Sequence, residues 1–378
     1  MGITLRPHQQ RFVDENPNRA LLVWEMRTGK SLPAKLWSEH PVRNQKAVVI
    51  CLKANKQSWA DLCPDAIVLT KEEFKKFWRE HLDTTALVVD EAHSFAAPIF
   101  VPKKRSQLVE ALYQFIKQNN HVHVLLLTAT PLTNDPASLH SLLTYIGHYI
   151  DWKTYQTEFY TLEHKPFLPR PAYFPIKNWR EKANTLLYKH ADIVSLADCM
   201  DSLPPTEDIV VRTPKNEHEY AEDEDYHWTK DHKAEQEPKV KAIKEIGQGY
   251  RKVILVCHYT EQIDYLQKQL KNDKPVFVVD GRTKDQGKTI AEAQSSPDAY
   301  LIVQAKIGMG WDGYMFGCLV FVSMAHRLID HTQMRGRLTS VDHPKPQVFY
   351  YLLSKGKWDK RIYDSIMAGE DFNIHKYE

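Results

Sequence analysis

Two series of short, nearly continuous apolar runs, most of them ending at a polar cluster, limit what this chain can fold into more than any other feature. The first series occupies 20–24, 47–52, 66–69, 86–89 and 122–127; the second occupies 253–257, 276–279, 299–303, 318–322 and 347–353. Runs of this length without polar alternation suit strands buried on both faces, as in a parallel sheet covered by helices on either side. Helical stretches at 71–80 and 106–118 fall within the first series, and one at 261–270 falls within the second. The alternation predicts an α/β chain that builds a doubly wound sheet twice. Between the series, 151–205 is rich in aromatics, Lys and Pro and poor in strand periodicity, and reads as a helical insertion and connector. The expected division is therefore 1–150, 151–205 and 206–378. The stretch 217–237 is densely charged and acidic, which fits a solvated helix or surface segment, or an acidic gate beside a basic track.

A chain of 378 residues can form two ordinary domains, and 43% hydrophobic with 26% charged residues is the composition of a soluble globular protein. The formal charge of +2 gives bulk charge no say in nucleic-acid binding, so any such case rests on local clusters. Five cysteines stand far apart, without Cys-x-x-Cys or zinc-type Cys/His spacing, and read as reduced thiols. His121 and His123 flank a strand residue and read as a solvated strand start. The opening Leu5-Arg6-Pro7-His8-Gln9-Gln10 is not a charged-then-apolar leader, and no apolar run reaches membrane-spanning length. The expectation is a cytoplasmic enzyme with no membrane partner.

Ligands of such sheets bind at the carboxyl ends of strands. The first run is followed by Glu25-Met26-Arg27-Thr28-Gly29-Lys30-Ser31, and the fourth by Asp90-Glu91-Ala92-His93. Gly29-Lys30-Ser31 is the core of a phosphate-binding loop, in which backbone N–H groups hold phosphate, the lysine reaches the β/γ-oxygens and the hydroxyl ligates Mg²⁺. Trp24 stands where the common pattern has its leading glycine, and Arg27 must either point away from the phosphates or join in binding them. Asp90 could hold Mg²⁺ and Glu91 could orient or deprotonate water. An exposed acidic turn after a core strand is the plain alternative, and the lysine cluster argues against it. A third cluster, 126–134, places Thr128, Thr130, Pro131 and Asn134 after another strand; alone it would be an ordinary strand-to-turn junction.

With these clusters in order, the sequence resembles the superfamily 2 helicases and translocases, and in particular their chromatin-remodelling, Swi/Snf-type branch, from Leu5 to about Tyr363. Leu5-Arg6-Pro7-His8-Gln9 looks like the adenine-sensing motif, with Gln9 reading the base, and 25–31 is similar to the branch's phosphate loop, with Arg27 where glycine is usual. Residues 48–59, with Lys53 and Ser58-Trp59, look like the first nucleic-acid-contacting motif. The match over 127–147, with Leu139-His140-Ser141-Leu142-Leu143, is the most branch-specific. Asp192-Ile193-Val194 followed by Leu203-Pro204-Pro205 fits the branch's connector. In the second half, 252–270, Asp280-Gly281-Arg282-Thr283, Gly308-Met309-Gly310-Trp311-Asp312 and Gln333-Met334-Arg335-Gly336-Arg337 resemble successive motifs. The last motif usually ends in a further arginine, and here that position is Ser340.

The resemblance implies two RecA-like lobes that bind ATP and Mg²⁺ in their cleft and nucleic acid across a shared face. It assigns Gln9, Arg27, Thr28, Gly29, Lys30, Ser31, Asp90, Gly310, Asp312 and Arg337 to nucleotide, and Ser31 and Asp90 to the metal. Catalysis falls to Lys30, Glu91, Gln333 and Arg337, with hydrolysis tied to lobe closure. Coupling falls to His93, Thr128 and Thr130, for which a structural role is equally open. Backbone contacts, independent of base sequence, fall to Lys53, Lys56, Thr70, Lys71, Tyr259, Thr260, Arg282 and Lys306. The implied function is that of an ATP-driven motor on nucleic acid, DNA in preference to RNA. Alternatives are a strand-separating helicase, possible on RNA, and a nucleotide-gated binding protein with slow hydrolysis, suggested by Ser340 and Arg27. The chain resembles compact phage or bacterial members, acting as a monomer whose target is set by nucleic-acid shape or a partner protein.

Overall fold

The protein is described by a computed structural model covering residues 4–43, 45–97, 99, 106–132, 135–164, 170–199, 204–214, 233–306, 311–340, 345–354 and 357–372. It forms two compact units, Met1–Asp201 and Ser202–Glu378. Each contains a six-stranded sheet in which every pairing is parallel. The α/β class and the two parallel-sheet bodies read from the apolar runs are therefore present.

In unit 1 the strands are β1 (Arg19–Trp24), β2 (Ala47–Cys51), β3 (Ile67–Thr70), β4 (Ala86–Val89), β5 (His123–Thr128) and β8 (Asp192–Val194), in the order β3-β2-β4-β5-β1-β8. β6 (Tyr160–Glu163) and β7 (Ala172–Pro175) form a separate antiparallel pair. The helices are α1 (Pro7–Glu15), α2 (Ser31–Ser38), α3 (Lys56–Leu62), α4 (Lys71–Phe77), α5 (Gln107–Gln118), α6 (Ala137–Tyr145), α7 (Trp152–Phe159) and α8 (Trp179–His190). Successive strand residues point to opposite faces, and both faces are dry. Leu21, Ile50, Leu87, Val89, Val124 and Leu126 pack against Phe74, Leu112, Phe115, Leu142 and Tyr155 of the helices on one side. Leu22, Trp24, Val49, Val88, Leu125 and Leu127 pack against Phe12, Trp37 and Trp59 of α1, α2 and α3 on the other.

Unit 2 repeats the plan with β9 (Thr206–Thr213), β10 (Lys252–Cys257), β11 (Val276–Val279), β12 (Ala299–Gln304), β13 (Cys318–Phe321) and β14 (Gln347–Ser354), ordered β11-β12-β10-β13-β14-β9. Its helices are α9 (Lys233–Gly249), α10 (Thr260–Leu270), α11 (Gln286–Ser295), α12 (Leu328–Arg335) and α13 (Lys357–Met367). Ile254, Val256, Leu301, Leu319 and Phe349 face one cluster with Ile290, Met334 and Ile362. Val253, Leu255, Ile302 and Val320 face another with Ile243, Ile263 and Leu266. Among the described residues no helix is long and apolar enough to cross a membrane.

The segment expected as a helical connector differs from that expectation. α7 and α8 are helical, but β6 and β7 form a hairpin between them, and β8 adds an edge strand beside β1. Tyr155, Phe159, Trp179, Ala183 and Leu187 join the unit 1 core, so 151–199 closes unit 1 rather than standing apart. Of the acidic stretch 217–237, residues 217–232 lie outside the described residues, and 233–237 begin α9.

Burial on both faces makes the central strands the costliest places to lose volume. Leu126→Ala is expected to lower unfolding free energy in urea by about 2–5 kcal/mol. The control is Val210→Ala on the edge strand β9, where the side chain is 39% exposed; it should change stability by at most about 0.5 kcal/mol. Equal losses at the two positions would contradict the two-faced burial.

Candidate active site

Strand order brings together three clusters that are remote in sequence. β4, β5 and β1 are neighbours, so parallel pairing sets 90–93, 128–130 and 25–31 side by side at their carboxyl ends.

The loop after β1 is held from several directions. Glu25 N–H donates to the Val194 carbonyl at 2.8 Å, and Glu25 Oε2 accepts from Leu196 N–H at 2.7 Å, fixing the loop to the edge strand. Buried Thr28 donates through Oγ1 to the Glu25 carbonyl at 2.8 Å. From α1, Gln9 Nε2 donates to the Gly29 carbonyl at 2.9 Å and His8 Nε2 to the Thr28 carbonyl at 2.9 Å. Lys30 Nζ turns back on the loop, donating to the Trp24 and Glu25 carbonyls at 2.7 and 3.0 Å. Gly29 has φ +83°, and a Cβ there would fall 2.4 Å from Gln9 Nε2. Arg27 has φ +70°, so this arginine takes the left-handed backbone that glycine adopts freely. Positive φ at 27 and 29, on either side of Thr28, curls the chain in the manner of an anion-binding nest. Ser31 is exposed and opens α2.

The loop after β4 is acidic and strained. Glu91 has φ +52°, a left-handed conformation that costs a non-glycine residue about 1–2 kcal/mol. Among the described residues three non-glycine positions have positive φ, Asn16, Arg27 and Glu91, and two of them sit in these adjoining loops. Asp90 accepts from Trp59 Nε1 at 3.0 Å and Asn55 Nδ2 at 3.4 Å through Oδ2, and from Glu91 N–H at 3.0 Å through Oδ1. Burial first, then the Glu91 carboxylate, raises the Asp90 carboxyl above the ordinary aspartate value of 3.8. Two lysines share this field. Burial pushes both Lys30 and Lys71 down, against the upward pull of Asp90 and Glu91 on each.

The expected coupling residues meet one another. His93 Nδ1 lies 3.3 Å from Thr128 Oγ1, 3.4 Å from Thr130 Oγ1 and 3.3 Å from Glu91 Oε2. Thr130 N–H donates to Thr128 Oγ1 at 3.0 Å. Glu91 Oε2 is buried and makes no aligned hydrogen bond. Asn134 lies outside the described residues.

The basic candidates are distributed less uniformly than their spacing suggests. Lys53 and Lys306 are exposed. Lys56 forks onto Glu73 at 2.7 Å to each oxygen, and Thr70 caps α4, accepting from Glu73 N–H at 3.2 Å through Oγ1. Lys71 faces the carboxylates instead of an outer surface, with Nζ 6.0 Å from the Phe95 ring centre. In unit 2, Arg282 is bound by Asp264 at 2.6 and 3.0 Å and by Asp280. Tyr259 caps α10, which Thr260 opens, and the Tyr259 ring meets His258 edge-on at 4.8 Å. Burial, with His326 and Lys306 nearby, pushes His258 down to about 4.

The remaining unit 2 candidates are inward-facing. Gln333 is 2% exposed, and its Oε1 has no hydrogen-bond partner among the described residues. Arg337 is 6% exposed and donates through Nη1 to the Trp311 carbonyl at 2.8 Å. Arg335 binds Asp208 and Tyr351 and stacks 3.9 Å over Phe349. Asp312 accepts from Tyr314 N–H at 3.1 Å. Gly310 lies outside the described residues.

Asn55 and His8 had no assigned role in the sequence, nor had Trp59 one toward Asp90. The one available signal was a tryptophan in the otherwise polar Lys56-Gln57-Ser58-Trp59-Ala60-Asp61. No protein-family model matches this chain, and no curated protein matches it.

Two outcomes follow. Arg27→Gly removes left-handed strain while loosening the unfolded chain, so stability should change by less than about 1 kcal/mol; β-branched Arg27→Val should lose about 1–2 kcal/mol in the same melt. Because the folded Asp90 carboxyl titrates above its unfolded value, the folded protein binds more protons there and loses stability as pH rises through that interval. Asp90→Asn should accordingly be more stable than wild type near neutral pH. That advantage should fade below the ordinary aspartate value, as read from denaturation midpoints across pH.

Proposed function

We propose that this chain is an ATP hydrolase acting on nucleic acid, a superfamily 2 motor of Swi/Snf type that moves along DNA. The observation that carries this reading is that two strained loops, at the ends of the strands β1 and β4 that flank β5, share one electrostatic field, one offering Gly29, Lys30 and Ser31 and the other Asp90 and Glu91, with Lys30 in the field of both carboxylates. Strain concentrates where function over-determines the backbone.

In this reading the curled backbone at 27–29 and the start of α2 receive phosphate, as helix N-termini and nests do. Lys30 leaves the Trp24 and Glu25 carbonyls for the β/γ-phosphates, an exchange of neutral acceptors for charged ones. The donor set fits Mg²⁺, a hard cation that takes oxygen ligands and keeps several waters: the Asp90 carboxylate and the exposed Ser31 hydroxyl. Bound there, Mg²⁺ would neutralise charge developing on the transferred phosphoryl group. Glu91 Oε2, unsatisfied and beside His93, is suited to orient a water or accept its proton. The group His93, Thr128 and Thr130 then senses that oxygen directly. Track contacts fall first to the exposed Lys53 and Lys306, because Lys56 and Arg282 already hold carboxylates.

A second reading, a nucleotide-gated binder with slow turnover, is favoured by the arginines. Position 340 is serine, Arg335 is held by Asp208 and Arg337 is buried against Trp311. Steady-state ATP hydrolysis without nucleic acid, then with duplex DNA, single-stranded DNA and single-stranded RNA, separates the two. The motor reading expects duplex DNA to raise turnover at least about tenfold, and Lys30→Ala to abolish the rise. Lys53→Glu with Lys306→Glu should weaken DNA binding and leave ATP binding intact. ATP binding with no stimulation by any nucleic acid would leave the gated binder; absence of ATP binding would end both.

A further inference from the structure

We infer, on the nucleotide-site reading above, that Asn55 and Trp59 are positioning residues for Asp90, and that they make the exposed lysine-bearing segment after β2 a mechanical link to the metal carboxylate. β2 and β4 are adjacent, and Asp90 N–H donates to the Ile50 carbonyl at 2.8 Å, so the chain leaving β2 starts beside Asp90. It passes through a 3₁₀ turn, Lys53–Asn55, into α3. Two inward-facing donors of this segment, Asn55 Nδ2 and Trp59 Nε1, converge on one oxygen, Asp90 Oδ2. Lys53, Ala54, Gln57 and Ser58, of the same segment, are exposed.

Each part of the segment is fixed by something different. The Trp59 ring is 4% exposed and packs with Val49, Cys51 and Cys63, so its N–H cannot wander without disturbing the core. On the outer side Lys56 grips Glu73, which also accepts from Thr70 N–H at 2.7 Å, and so ties α3 to the start of α4. Asp90 is a carboxylate disfavoured by burial and by Glu91, and the Trp59 donor, the Lys30 charge and the Asn55 donor offset this within the protein. With Oδ2 engaged twice and Oδ1 on the Glu91 N–H, the carboxylate plane is set. A small displacement of α3 changes the aim of Asp90. A polyanion drawing on Lys53 therefore acts on Asp90 through Asn55 and Trp59, two and six residues further along the same segment.

The test removes each donor with little change of shape. Trp59→Phe keeps an aromatic ring without the N–H, and Asn55→Ala removes the other donor. Binding of Mn²⁺ in the presence of a non-hydrolysable ATP analogue, followed by electron paramagnetic resonance, should weaken by about 10-fold to 100-fold in Trp59→Phe, the usual range for loss of an outer-shell partner. Asn55→Ala should lose less, in keeping with its longer bond, while metal-free analogue binding stays unchanged in both. The groups facing Asp90 are Glu91, Lys30, Lys71 and Cys51. In the nucleotide-free protein the Trp59 indole N–H resonance, identified by its loss in Trp59→Phe, should move when duplex DNA is added. Folded variants that bind Mn²⁺ within twofold of wild type, or an indole resonance indifferent to DNA, would overturn the link and leave the nucleotide site standing. A wild-type protein that binds neither the analogue nor Mn²⁺ would remove the nucleotide site and the link together.

Discussion

A sheet made only of parallel strands and dry on both faces leaves its polar side chains no place but the strand ends, and the rest of unit 1 depends on that constraint. Every residue of β4 is buried, as are Val124 to Thr128 on β5 and all of β2 after Ala47. Charge first becomes admissible where these strands stop. Because the pairing is parallel, they all stop on the same side, and Asp90, Thr128 and Glu25 emerge within one neighbourhood although they are far apart in the chain. The helices then determine what each loop can do. α1 reaches over the first loop with His8 and Gln9, and α3 reaches under the second with Trp59.

That concentration is energetically unfavourable in the protein by itself. Asp90 is raised by burial and by Glu91, and Lys30 and Lys71 are lowered by burial, so each charge there is stabilised less than it would be in water. Two backbone positions add left-handed strain. A fold selected for stability alone would place none of this at the end of a core strand. The tension is relieved by whatever brings complementary charge: phosphate for the lysines and a cation for the carboxylates. On the proposed reading, magnesium–nucleotide would supply both at once.

How much was legible in the sequence follows the same physics. All ten apolar runs became strands; in the central ones burial on two faces forbids polar residues, and the runs are a signal local enough to read. β9 escaped notice because it lies at a sheet edge, where Thr206, Glu207 and Asp208 are exposed and no apolar run is needed. β8 is three residues long, and its pairing with β1 is a tertiary fact. The hairpin of β6 and β7 exposes its cross-strand pair Leu162 and Tyr173, so it carries no burial pattern. In the site, the placement of Lys30, Asp90 and Glu91 just after strands was legible because an apolar run stops where charge begins. The partnership of Trp59 with Asp90 spans 31 positions and depends on β2 lying next to β4, which no local pattern encodes. Arg282 shows the converse. Its position after a strand suggested an open cation, but Asp264 on α10 and Asp280 in its own turn both bind it.

The arginines of unit 2 carry this reasoning one step further. Arg335 is bound to Asp208 on the edge strand β9 and to Tyr351 on β14, and it lies flat on Phe349. Its planar fork is thus used to close the side of the sheet where β9 is added, and moving it toward a phosphate would break the ion pair with Asp208 and loosen that strand. Arg337 is tethered by the Trp311 carbonyl, a neutral acceptor. A phosphate oxygen is a stronger acceptor for a guanidinium than a carbonyl is. On the proposed motor reading, with serine at 340 and Arg335 engaged by a carboxylate, an arginine supplied by this unit would be Arg337.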